Sequence, residues 1–118
     1  MVPGISIVKW GPAAWHFLHT IGYTYNDNAS DIEKANMLAF IHAFAKVLPC
    51  KKCRIDFTKY VTKHVKPNSA IFDSNENMVL FIHNAHNYVN KKLGKRSINI
   101  QQSKRIYLVE YDSYKVYI

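Results

Sequence analysis

Leu48-Pro49-Cys50-Lys51-Lys52-Cys53-Arg54 interrupts two stretches of helical period, and its reading decides how the chain is built. Upstream, Ala35, Leu38, Ala39, Ile41, Ala43, Phe44 and Val47 recur at helical spacing as far as Leu48. Downstream, Ile55, Tyr60 and Val61 resume that spacing to about Lys63. Proline cannot continue a helix but suits the entry to one, so the pattern predicts a break at Pro49 and a new helix beyond it. The two cysteines, the only ones in the chain, stand three residues apart and can close a small ring on themselves. A helix N-terminus together with Lys51, Lys52 and Arg54 would hold negative charge on sulfur and lower a thiol pKa. The stretch reads as a redox dithiol between two helices.

The rest of the chain extends the same helical pattern. Gly11 to Tyr25 is predicted as a first helix, with Pro12 early and Ala13, Ala14, Phe17, Leu18 and Ile21 on apolar spacing. Asn26 to Ser30 is a loop, and Ser30 or Asp31 can cap the second helix with Glu33 in its first turn. Pro67-Asn68-Ser69 is a turn. Asp73 or Ser74 can cap a fourth helix carrying Met78, Phe81, Ile82, Ala85 and Val89, which Gly94 ends. Ile98 to Tyr111 fits a short fifth helix, although Ile106-Tyr107-Leu108-Val109 is strand-like. The expected architecture is one small all-helical bundle spanning residues 1–118.

Composition narrows the function classes. A chain of 118 residues with 48% apolar content can bury a real core and is not of disordered composition. No run reaches the roughly 18 apolar residues of a membrane-spanning helix, and Met1-Val2-Pro3-Gly4 starts no signal-peptide core. Two cysteines cannot form a disulfide framework. The net charge of +8 is scattered, with its densest clusters beside the motifs, which reads as a general basic face rather than a nucleic-acid surface.

Two further stretches carry chemistry. In His83-Asn84-Ala85-His86-Asn87-Tyr88-Val89-Asn90-Lys91-Lys92-Leu93-Gly94-Lys95, His86 and Asn90 share one helical face, while Asn87 and Lys91 share a neighbouring one. Asparagine is a mediocre helix former, so three of them in Asn84–Asn90 need compensation, which a polar heterocyclic ligand or a solvated face would supply. In Trp10-Gly11-Pro12-Ala13-Ala14-Trp15-His16-Phe17-Leu18-His19-Thr20, Trp15 and His19 lie one turn apart, as core packing or as ligand contacts.

Taken in order, Trp-x-x-x-His, Pro-Cys-x-x-Cys and His-Asn-x-Val-Asn-x-x-Leu-Gly-Lys resemble the Erv/ALR family of FAD-dependent sulfhydryl oxidases, over residues 10–96. The resemblance implies a four-helix bundle with a short fifth helix, FAD at the bundle mouth, and a homodimer. It implies oxidation of thiols in a client protein, such as a thioredoxin-like or small Cys-pair carrier, with electrons passing through flavin to O2 to give H2O2. On that resemblance Cys50 is the interchange thiol and Cys53 the flavin-proximal one. Gly11, Trp15 and His19 are first-helix FAD contacts. His86, Asn87, Val89, Asn90, Lys92 and Lys95 form the adenine and phosphate side, where the lysines supply charge for a pyrophosphate.

The chain departs from that family pattern in places. Pro12 replaces the usual arginine, Leu48 an aromatic residue, and His83 a cysteine, so one family structural disulfide cannot form. The sequence carries no second cysteine pair to act as a shuttle, in which it resembles the minimal forms of large DNA viruses; the resemblance implies clients that reach Cys50 directly and, if the chain is viral, a location in host cytoplasm or virion. The tail from Tyr107 to Ile118 holds four tyrosines and no motif, and could serve as dimer surface, bundle packing or client platform. Two competing readings remain: zinc held by Cys50, Cys53, His83 and His86 in a small basic helical binding domain, and a thioredoxin-like oxidoreductase. Zinc fits poorly, since 29 residues separate the pairs. A thioredoxin-like fold would need strands, and the period is helical throughout.

Overall fold

The structure, a computed structural model, describes residues 4–108, all helix, turn and loop. Five α-helices follow in order: α1 (Ile7–Tyr23), α2 (Asp31–Lys46), α3 (Lys51–His64), α4 (Asn75–Lys92) and α5 (Ile100–Tyr107), with a short 3-10 turn at Ala70–Phe72. α1 packs on α4 and α2 on α3, while α5 crosses the pair α1 and α4. The bundle with a short fifth helix is the expected fold. Positions 109–118, and with them most of the tyrosine tail and the end of the expected fifth helix, lie outside the described residues.

The caps explain where the helices begin. Ser30 and Glu33 form a reciprocal capping box at α2, the Ser74 hydroxyl accepts from the Asn77 N–H at α4, and Asn99 pairs with Gln102 at α5. α1 starts at Ile7, well before Gly11, because Ser6 caps it and the Trp10 indole N–H reaches the Ile5 carbonyl at 3.1 Å. Pro12 therefore lies inside α1, giving up one backbone hydrogen bond there. Pro49 lies one residue before the cap of α3, which is Cys50 itself. α4 ends as a Schellman motif: Gly94 takes φ +70°, its N–H meets the Lys91 carbonyl, and the Lys95 N–H meets the Asn90 carbonyl at 2.8 Å.

One core runs through the bundle, built on Leu18, Ile41, Phe57, Val61, Met78 and Phe81. Gly22 lets α1 approach α4, since a Cβ there would stand 2.7 Å from Ile82 Cδ1. The Asn75 amide ties the end of α1 to the start of α4, donating toward the carbonyls of Gly22, Tyr23 and Tyr25. The opposite ends of these helices, where α1 begins and α4 ends, meet the α2–α3 junction and form the mouth of the bundle.

Candidate functional site at the bundle mouth

At that mouth Cys50 and Cys53 form a disulfide, with Cα atoms 5.1 Å apart. The spacing is what a first helical turn provides when its cap residue is the first cysteine. The Cys50 Sγ accepts from the Cys53 N–H at 3.2 Å, in the position an N-cap oxygen normally takes. Once the bond is reduced, that N–H and the helix dipole favour negative charge on Cys50. Cys53 packs against the core, whereas Cys50 stands at the cap outside the helix. Lys51 and Lys52 are exposed, but Arg54 is half-buried and donates from Nη1 to the Leu48 carbonyl at 2.7 Å. Arg54 thus braces the loop across Pro49 instead of joining the exposed cations.

The disulfide opens onto a cavity of about 330 Å³, within the range of small-molecule sites. Trp10, Trp15, Phe44, Phe57 and Tyr88 give it aromatic walls, Leu48 and Val89 add aliphatic wall, Gly11 leaves one stretch free of a side chain, and Lys52 and Lys92 bring positive charge. Asp56 is the acid on its wall. Of the expected site residues, Cys50, Cys53, Gly11, Trp15, Val89 and Lys92 line this space. Trp10, Tyr88 and Phe57 were not expected there. Trp10 directly precedes Gly11, and Tyr88 is one turn from Lys92, whose Nζ lies 5.6 Å from its ring centre.

His19 and His86 stand behind the aromatic wall. The His86 ring stacks on Trp15 with centroids 4.2 Å apart and planes 8° off parallel, and its Nδ1 lies 2.9 Å from His19 Nε2. His19 is in turn stacked on Tyr107 of α5 at 3.9 Å. Burial holds both imidazoles neutral, His19 pushed down to about 3 and His86 to about 4, with neighbouring histidines adding to the effect and Lys95 adding to it at His86. Trp15 and His19 do not stack directly; their rings are 6.1 Å apart and tilted.

Asn87 clasps the segment that follows α4. Its amide donates to the Ile98 carbonyl at 2.9 Å and accepts from the Ile98 N–H at 3.1 Å, which pins the segment leading into α5. Its Nδ2 also lies 3.2 Å from His83 Nε2. Asn87→Ala is expected to cost about 1–3 kcal/mol by orphaning both backbone groups. Hydrogen exchange at residues 98–107 should rise about fivefold or more, since 1.4 kcal/mol is a factor of ten; unchanged protection there would refute the clasp. Asn90 is buried on the same face as His86, and Lys95 lies exposed just beyond Gly94. Pro12 is exposed and Leu48 buried, an aliphatic stretch of cavity wall where an aromatic one was expected.

The zinc arrangement has no geometry: among the described residues no three His, Cys, Asp or Glu side chains converge on a metal position. Nor is any described helix long and apolar enough to cross a membrane.

A family model described as the Erv1 / Alr family matches residues 12–108. The chain belongs to that family. A probable FAD-linked sulfhydryl oxidase of Acanthamoeba polyphaga mimivirus is 30% identical over 99 residues, covering 84% of this chain and 68% of the relative. The FAD-linked sulfhydryl oxidase of African swine fever virus (Tick/Malawi isolate) is 32% identical, covering 86% and 82%. The chain spans about half the length of its mitochondrial relatives, 52% of the one from Schizosaccharomyces pombe and 46% of the one from Saccharomyces cerevisiae. Among solved structures, the yeast Erv1 core superposes with a TM-score of 0.79 at 28% identity, over 94% of this chain and 91% of that one. The FAD binding domain of Erv1 from the same yeast gives 0.77 at 28% identity, over 87% and 94%.

Proposed function

We propose that this chain is an FAD-dependent thiol oxidase that forms disulfide bonds in client proteins. The observation that carries this is a single disulfide at a helix N-terminus, opening onto an aromatic cavity with lysines at its mouth. The cavity suits FAD. Trp10, Trp15 and Tyr88 offer flat apolar faces for a planar ring system, Gly11 leaves the wall free of a side chain, and Lys92 on the wall, with the exposed Lys95 beyond Gly94, supplies charge for the pyrophosphate. His86, held by His19, backs the Trp15 face, Asn90 is buried one turn further along α4, and Val89 completes the wall.

The protein's own residues then account for the thiol exchange. A client thiolate attacks Cys50 Sγ, the Cys50–Cys53 bond breaks, and Cys53 leaves as thiolate. A second client thiolate attacks the client sulfur of the mixed disulfide, releasing oxidised client and Cys50 thiolate. Two electrons have then moved from client to Cys50 and Cys53, and the two client thiol protons have gone to solvent. FAD held against Trp10, Trp15 and Tyr88 would supply the two-electron acceptor for the reduced Cys50 and Cys53, with O2 as the final oxidant and H2O2 as its product. Cys50, at the helix cap and outside the core cluster, meets the client, and Cys53, packed against the core, stays inward; both line the cavity.

Purified protein should carry the visible absorption of a flavin and consume O2 with dithiothreitol; a colourless protein inert after FAD addition would refute the proposal. A homodimer completes the reading, supported by Phe17 on α1 and Ile32 on α2, 60% and 74% exposed. Light scattering at micromolar concentration would refute it by returning the monomer mass.

A further inference from the structure

The outer face of α3 carries a feature the oxidase chemistry does not use. Lys51, Ile55, Lys59 and Lys63 follow one another at four-residue spacing, all exposed, with Lys52 beside the first. At 1.5 Å per residue the ladder runs about 18 Å from the dithiol, the length of five or six residues of extended chain. Lys59 and Lys63 are like charges one turn apart, an arrangement that weakens a helix. No acid offsets them: the one acid in α3, Asp56, lines the cavity. The other acids of the described residues, Asp27, Asp31, Glu33, Asp73 and Glu76, sit around the far ends of α2 and α4. The single ion pair among the described residues, Lys34 with Asp73 at 3.7 Å, is also there. Ile55, 48% exposed, places an apolar step inside the cationic ladder, and Val47, 73% exposed, places another just before Pro49.

We infer that this face of α3 is the client docking surface, and that the client presents its cysteines on an acidic, extended segment carrying an apolar residue. The inference rests on the oxidase reading and names the substrate class for it. Charge complementarity selects the partner: a run of acidic residues laid along α3 neutralises lysines that no acid among the described residues pairs with, and it leads the client thiol to Cys50 at the head of the ladder.

The test uses FAD-loaded protein and two reduced peptides sharing one Cys-x-x-Cys core, with glutamate-rich or lysine-rich flanks. The acidic peptide should be oxidised with a kcat/KM at least about tenfold higher at low salt, the scale of electrostatic steering. The difference should shrink as the screening length falls from about 30 Å at 0.01 M to about 3 Å at 1 M. Lys59→Glu/Lys63→Glu should abolish or reverse the preference while dithiothreitol turnover stays the same, and Lys59→Gln/Lys63→Gln should fall between. Equal rates for the two peptides, or a preference surviving the charge reversal, would overturn the docking surface while leaving the oxidase reading intact. Failure to oxidise dithiothreitol would remove both. A DNA duplex that inhibits peptide oxidation at lower concentration than a cysteine-free acidic peptide would overturn the proposal in favour of a nucleic-acid surface.

Discussion

Cys53→Ser is expected to lower thiol oxidation by at least about 10³-fold, the order of loss when one member of a group acting as a unit is removed. Without Cys53 there is no intramolecular disulfide to receive the client's electrons. Cys50 remains at the cap of α3, where the helix N-terminus still favours its thiolate. That thiolate can attack a client disulfide, releasing one client thiolate and holding the client as a mixed disulfide. In the native protein Cys53 would resolve such a species, because the two Cα atoms are only 5.1 Å apart. In the variant nothing intramolecular can, so the adduct accumulates. Mass spectrometry should find it on Cys50, reversible by dithiothreitol. Cys50→Ser should trap far less, because Cys53 packs against the core. Full O2 consumption by Cys53→Ser, or equal trapping by both variants, would refute the assignment of roles.

Much of this site was legible in the sequence because the signals were local. Ser30 with Glu33, Ser74, and Gly94 in its left-handed turn mark helix ends by chemistry confined to a few residues, and each marks the boundary seen. The dithiol was legible for the same reason. Boundaries at proline were less so: Pro12 and Pro49 both suit a first helical turn, yet Pro12 lies inside α1 and Pro49 lies outside α3. Ser6 and Cys50 outcompete them as caps, and a cysteine acting as cap carries no composition signal. Roles that depend on long-range partners were not legible. Asn87 carries bonds to the backbone of Ile98, eleven residues on, which no local pattern announces. Arg54 was expected among the exposed cations, but it reaches back to Leu48. His19 and His86 were assigned to different parts of the expected cofactor site, and nothing in their spacing of 67 residues revealed that each is the other's hydrogen-bond partner.

That pair carries the second large effect. His86→Ala is expected to destabilise the fold by about 2–4 kcal/mol and to release FAD on gel filtration. The ring it removes lies flat against Trp15 at 4.2 Å, so one face of the cavity's aromatic wall loses its support. It also leaves His19 Nε2, in a side chain only 2% exposed, without its partner. The same pair makes the wild-type protein sensitive to acid. Both imidazoles are held neutral when folded, His19 down to about 3 and His86 to about 4 against 6.5 for a free ring. The unfolded chain therefore binds more protons than the folded one below pH 6.5, and stability rises with pH across that range. Stability is at its full value above pH 6.5 and is lost progressively as pH falls toward 3, because the rings of the unfolded chain take up protons that the buried rings do not. Tm should therefore fall steadily below pH 6.5, and flavin should dissociate in the same window. In His86→Ala the drop across the window should be shallower, since one of the two groups no longer titrates. A Tm independent of pH between 7 and 4.5, or an alanine variant that keeps its flavin and its Tm, would show that the histidine pair does not support the Trp15 wall.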